Sequence, residues 1–218
     1  MAGPAELVEA LSKATGVAKA TVVDIDRRLV TAGLRTKGGR GLSAARMTAL
    51  DAARLLTAII GSPQANASAE AVNRYSETHV DRWRSSDGLF GAIEVNDLAA
   101  LPVRHSFVDG LAALIASASN GALAAMTAAS RKVWLPHIEV YAFTRATYGR
   151  IRFSGMPNGK AASVEYILAR TPSGSAERNA PSRKKDTAAD TALGDLEQSR
   201  RVTERTILAV AELLREDT

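Results

Sequence analysis

The sequence predicts an α+β protein, mostly helical. Its expected parts are an N-terminal winged helix-turn-helix, a middle domain of helices with an antiparallel sheet, and a tethered C-terminal helix. Three observations predict this. Apolar residues recur at helical spacing on both sides of Gly16. After Trp134 the pattern changes to β-branched, aromatic and alternating residues. A stretch dominated by Pro, Ser, Ala and charge then separates a last helical pattern from the rest. The divisions fall at 1–62, 67–170, 171–192 as a disordered linker, and 193–218.

In the first segment Leu7, Val8 and Leu11 make one apolar helix face. Gly16 follows where that helix must stop, because glycine tolerates the left-handed backbone of a tight turn. Val17 plugs the angle between two helices, and Ser12 is small where the second helix passes. Val22, Ile25 and Leu29 then return at the spacing of a second amphipathic helix. This places Lys19, Thr21, Asp24, Arg27 and Arg28 outward, where they would enter a major groove. An ordinary two-helix hairpin in a small core is the alternative.

The next segment, 33–47, carries four cations, Arg35, Lys37, Arg40 and Arg46, and no acid. Glycines let its backbone come close to a partner. A basic, glycine-rich loop directly after a recognition helix reads as a wing that grips phosphates. Thr48 and Asp51 then form a capping box, and Leu50, Ala53, Leu55, Leu56, Ile59 and Ile60 close the small core.

Gly16-Val17, Gly33-Leu34-Arg35-Thr36, Gly39-Arg40 and Met47-Thr48-x-x-Asp51 before a leucine-rich helix resemble the winged-helix DNA-binding domain of MerR-type regulators. The resemblance spans residues 5–61. It implies a duplex-reading fold and a regulatory role. The chain departs from that pattern at Asp24-Ile25-Asp26, where the family carries aromatic and basic residues. It also lacks an immediate dimerising coiled coil and an effector cysteine.

Further along, Gly61 to Ser68 reads as a linker or helix boundary. Ser68 is placed to cap a helix reaching about Trp83, through Ala71, Val72, Tyr75 and Val80. Residues 95–103 are expected to be irregular with a short helical turn. Phe107, Leu111, Leu114 and Ile115 mark a buried-face helix over 104–119, which Asn120-Gly121 ends or kinks before an expected helical continuation over 122–130. Three strand candidates follow, in 134–144, 149–153 and 163–168. They predict a small antiparallel sheet packed on the Phe107 helix, with Ile151 and Phe153 inward and Arg150 and Arg152 outward. Those two arginines are either a second nucleic-acid surface or charges that keep a sheet face hydrated. In 193–216 Leu196, Val202, Ile207, Val210 and Leu214 form a stripe. A tethered helix must bury such a stripe, with a neighbouring subunit or partner protein the favoured cover.

The chain has 218 residues, 28 Lys and Arg against 23 Asp and Glu, and a net charge of +5, which favours a polyanionic partner. Aromatic residues are only 5%, so cores are expected to be small and helix-rich. Without cysteine there is no disulfide, thiolate chemistry or cysteine-ligated zinc. No signal peptide or membrane span is visible, so a cytoplasmic protein is expected, and the richness in alanine and arginine points to a bacterial or phage source. His79, His105 and His137 lack metal-ligand spacing, so no metal site is expected. Gly39-Arg-Gly-Leu-Ser-Ala44 matches a dinucleotide fingerprint only formally, because no strand precedes it. Asp24 and Asp26 diverge on a helix and make no catalytic pair. No nucleophile motif or cofactor site is found, and no catalytic residue is expected.

The sequence therefore points to a non-enzymatic, sequence-specific binder of double-stranded DNA, a transcription regulator acting as a homo-oligomer. One alternative is a DNA-packaging subunit, since the layout is similar to that of phage small terminases. A second is a scaffold whose helix hairpin binds protein.

Overall fold

Capping chemistry sets where the helices begin. Thr48 and Ser106 each accept a hydrogen bond from the backbone N–H three residues on, and Asp51 and Asp109 bond back to the cap residue. Gly16, at φ 74, ends the first helix, and its N–H donates to the Ser12 carbonyl. The computed structural model of the protein describes residues 2–37, 45–85, 95–123, 137–144, 147–154, 161–168 and 198–215. Their elements are α1 (Pro4–Thr15), α2 (Lys19–Thr31), α3 (Ala49–Gly61), α4 (Ser68–Ser76), β1 (Thr78–Ser85), α5 (Asn96–Ala99), α6 (Phe107–Ser119), β2 (Ile138–Phe143), β3 (Tyr148–Phe153), β4 (Ala162–Leu168), β5 (Ser199–Thr203) and α7 (Glu204–Leu214). A short 3-10 turn, Ala65–Ala67, leads into α4.

The fold is α+β, with a five-stranded sheet in the order β1-β4-β3-β2-β5 and every neighbour antiparallel. Alternation gives the sheet two unlike faces. Ile138, Val140, Ala142, Ile151, Phe153, Val164 and Tyr166 are fully buried, and α3 and α6 pack on that side. Ile151 and Phe153 point inward and Arg152 outward, as the alternation predicts.

Two of the five strands are not visible as strands in the sequence. The helix expected from Ser68 to about Trp83 stops at Ser76, and β1 follows. Thr78 marks the switch: its hydroxyl donates to the Tyr75 carbonyl and accepts from Phe107 N–H, while its backbone enters register with Leu168 of β4. The C-terminal helix, expected from 193, begins at Glu204, because Ser199–Thr203 pairs with β2 instead. Only Val202 of β5 is buried, so the strand has no apolar pattern to announce it. Arg200 helps fix it by donating to the carbonyls of Ile59 at 2.7 Å and Ser62 at 2.8 Å, at the end of α3.

One hydrophobic cluster runs from Leu7 of α1 to Ala211 of α7. It continues through 62–67, where the sequence suggests a boundary: Gly61 and Ser62 are buried, and α3 touches α2, α4, α6, β2 and β5. Of the expected stripe, Val202, Ile207 and Val210 are buried against the chain's own body and Leu214 partly so, while Leu196 lies outside the described residues. Ile207 and Val210 are fully buried, and α7 packs on α1 and α6. Among the described residues no helix is long and apolar enough to cross a membrane.

Candidate nucleic-acid interface

The α1–turn–α2 unit is held from inside and from the turn. Leu7, Leu11, Val22 and Leu29 are fully buried, and Val17 packs half-buried against them. Ser12 Oγ donates to the Val17 carbonyl at 2.8 Å, and Thr15 Oγ1 to the Leu11 carbonyl at 2.6 Å, so the turn around Gly16 is braced on both sides. Behind α2 stand α1, α3 and α4. Its opposite side carries Ala20, Val23, Arg27 and Thr31 at helical spacing, all exposed.

Five of the sequence-predicted contacts lie on this helix. Arg27 is exposed in the centre of the open face. Asp24 and Arg28 pair with each other at 3.0 Å, four residues apart. Thr21 is exposed on the same flank as Arg28. Lys19 is on the other flank, 2.6 Å from Glu9 of α1, and Lys13 meets the same carboxylate at 3.2 Å. The lysines, Lys19 first, hold the Glu9 carboxyl below its usual range. These are solvent-facing ion pairs, worth little and readily exchanged for a phosphate.

Arg35 behaves differently from expectation. Its Nε lies 2.6 Å from Asp26 Oδ1 in an ion pair, and its Nη2 donates to Oδ2 at 3.1 Å. Only 10% of its side chain is exposed, against 14% for Asp26. Burial pushes the Asp26 carboxyl up despite the guanidinium. Arg35 is therefore spent on anchoring the chain after α2 and offers little surface to a phosphate. Lys37 and Arg46 are exposed at the two ends of the following loop. Arg40 and the rest of the expected wing, 38–44, lie outside the described residues.

The sequence reading missed how that loop is closed. Asp51, 2% exposed, accepts from Thr36 N–H at 2.8 Å and Thr36 Oγ1 at 3.0 Å. It also accepts from Thr48 N–H at 3.0 Å and Thr48 Oγ1 at 2.7 Å. Burial works to raise its pKa, but these four bonds outweigh it and hold the carboxyl below the usual range. Thr36 precedes the loop and Thr48 follows it, so one carboxylate ties both stems beside the C-terminal end of α2. The capping box was legible as Thr48-x-x-Asp51. The bond across to Thr36 carries no spacing signal.

His79, His105 and His137 do not converge, and among the described residues no group of three His, Cys, Asp or Glu side chains is placed to hold a metal. No family model, curated protein or solved structure matches the chain.

Proposed function

We propose that the protein is a non-enzymatic, sequence-specific double-stranded DNA-binding protein, a transcription regulator that reads the major groove with α2. One observation carries the reading. The outward side of α2 is left open by three packed helices, and Asp51 ties Thr36 to Thr48 across the basic segment that follows it in the sequence. Arg27 and Arg28 supply guanine-type donors, Thr21 and Thr31 hydroxyls, and Val23 an apolar patch suited to a thymine methyl group. Lys37, Arg40 and Arg46 serve the phosphates as the wing, while Arg35 and Asp51 hold its base. A homo-oligomer would address paired half-sites.

The test is selection from a random duplex pool, followed by titration of the enriched duplex at several salt concentrations. Arg27→Ala is expected to relax the preference at one position, by about 1–3 kcal/mol. Arg46→Ala is expected to weaken all duplexes alike and lower the salt slope by about one phosphate contact. Absence of any enriched duplex, with salt-independent binding, would leave a protein-binding scaffold. A closed ring of many copies on the enriched duplex would favour the DNA-packaging role.

A further inference from the structure

The sheet face turned away from α3 and α6 is ordered in rows across the strands. One row reads Ser199, Phe143, Tyr148, Ile167, its two rings in contact just past the last β2–β3 pair, Ala142 with Gly149. The next reads Arg201, Tyr141, Arg150, Glu165, and the third Thr203, Glu139, Arg152, Ser163. A row with two rings thus lies beside a row with two arginines and a row with one. Tyr148 meets Phe143 edge to face, with centroids 4.9 Å apart, and the Arg150 guanidinium lies 5.7 Å from the Tyr148 ring centre.

The charges of this face are sorted by height. Glu139 is sunken, its side chain 7% exposed, held by Arg201 at 2.7 Å and Arg152 at 3.4 Å. The Glu165 side chain is 17% exposed and lies 3.6 Å from Arg150. The guanidiniums stand above these acids, with 52% of the Arg152 and Arg201 side chains exposed and 37% of Arg150. A ligand approaching the sheet meets the guanidiniums before it meets either carboxylate, with the partly buried rings of Tyr141, Phe143 and Tyr148 beside them. Each guanidinium carries five donors in a fixed fork; Glu139 engages one nitrogen of Arg152 and one of Arg201, and the Tyr148 hydroxyl accepts from Nε and Nη2 of Arg150.

We propose that this face binds single-stranded nucleic acid, with bases on Phe143, Tyr148 and Tyr141 and phosphates on Arg150, Arg152 and Arg201. Open antiparallel sheets that combine rings with cationic side chains suit unstacked bases, because every base has a stacking face. A duplex hides those faces. An acidic peptide would use the arginines and leave the aromatic row idle. The site is separate from α2 and does not rest on the duplex-reading role.

The experiment titrates the full-length protein with fluorescent single strands of about 12 nucleotides, oligo(dT) and oligo(U), and with a duplex. Binding of either single strand, falling with salt, is expected, and the ratio of the two assigns the sugar preference. Arg152→Ala leaves Glu139 paired with Arg201 and is expected to weaken single strands about ten-fold, with duplex affinity unchanged. Tyr148→Leu should do the same by loss of stacking. Arg27→Ala on α2 should leave single strands unaffected, so failure of one site is distinguishable from failure of the other. Photocrosslinking of 5-iodouracil strands should mark the Phe143 or Tyr148 peptide. Because Arg152 is exposed, its variant keeps the test valid even if Tyr148→Leu misfolds. The proposal is overturned by absence of single-strand binding at low salt, by equal affinity of wild type and Arg152→Ala, by displacement with a poly-glutamate peptide of matched charge, or by variants that alter native mass without nucleic acid.

Discussion

Burial fixes the His105 imidazole in one tautomer. Nδ1 lies 2.8 Å from the Pro102 carbonyl, which can only accept, so Nδ1 carries the proton. Nε2, 2.9 Å from the Tyr166 hydroxyl, is then the acceptor. Tyr166 is fully buried, and burial pushes its phenol far up. Gly110 makes the approach possible, since a Cβ there would run into the Tyr166 hydroxyl. Burial likewise lowers the His105 pKa below its ordinary 6.5, only partly offset by the Pro102 carbonyl and Asp109. The linkage has a definite sign. Below 6.5 the unfolded chain takes up a proton that folded His105 refuses, so this contribution is intact above that pH and is lost as pH falls toward the folded value. The melting temperature should therefore drop between about pH 7.5 and pH 5, and His105→Gln should drop less over the same interval. Equal slopes for wild type and variant would show that other groups govern the acid response.

At the scale of elements, Asp51 is what joins Thr36, after α2, to Thr48, before α3. Asp51→Ala removes four hydrogen bonds and strands the Thr36 and Thr48 donors, a loss of about 2–3 kcal/mol by chemical denaturation. The same variant should weaken duplex binding although Asp51 is buried, because Lys37 and Arg46 lose their fixed base. If affinity survives while stability falls, the loop does not touch DNA. This element also shows where sequence reasoning works. Helix faces, the Gly16 turn and the middle strands follow from periodicity and capping, which are local. The roles of Thr36 and Arg35 depend on contacts 15 and nine residues away in the chain, at Asp51 and Asp26, and periodicity is silent about those. β1 and β5 fail for a related reason. Each is a sheet edge whose ladder partner, β4 or β2, supplies what its own side chains do not. The aromatic row of the sheet was hidden because Phe143 and Tyr148 meet only once β2 and β3 pair.

Across the whole molecule, the last two elements belong to the core that supports α1 and α2. Val202 is 7% exposed, Ile207 and Val210 are fully buried and Ala211 is 1% exposed, and α7 lies along both α1 and α6. Arg200 of β5 also holds the carboxyl end of α3. Fully burying a Val or Ile side chain contributes about 1.5–3 kcal/mol, so Val202, Ile207 and Val210 together supply an amount comparable to the net stability of an ordinary domain. Truncation after residue 197 should therefore unfold α1 and α2 along with the sheet, rather than leave them folded as an independent unit. A milder change separates packing from the loss of a whole segment. Val210→Ala should cost about 1–2 kcal/mol, on the scale of two lost methyl groups plus a small cavity. It should lower one cooperative transition seen alike by far-ultraviolet circular dichroism and by exchange protection of the Leu11 and Val22 amides. A truncated chain that melts as wild type does and still binds the enriched duplex would show that α7 lies on the body without supporting it.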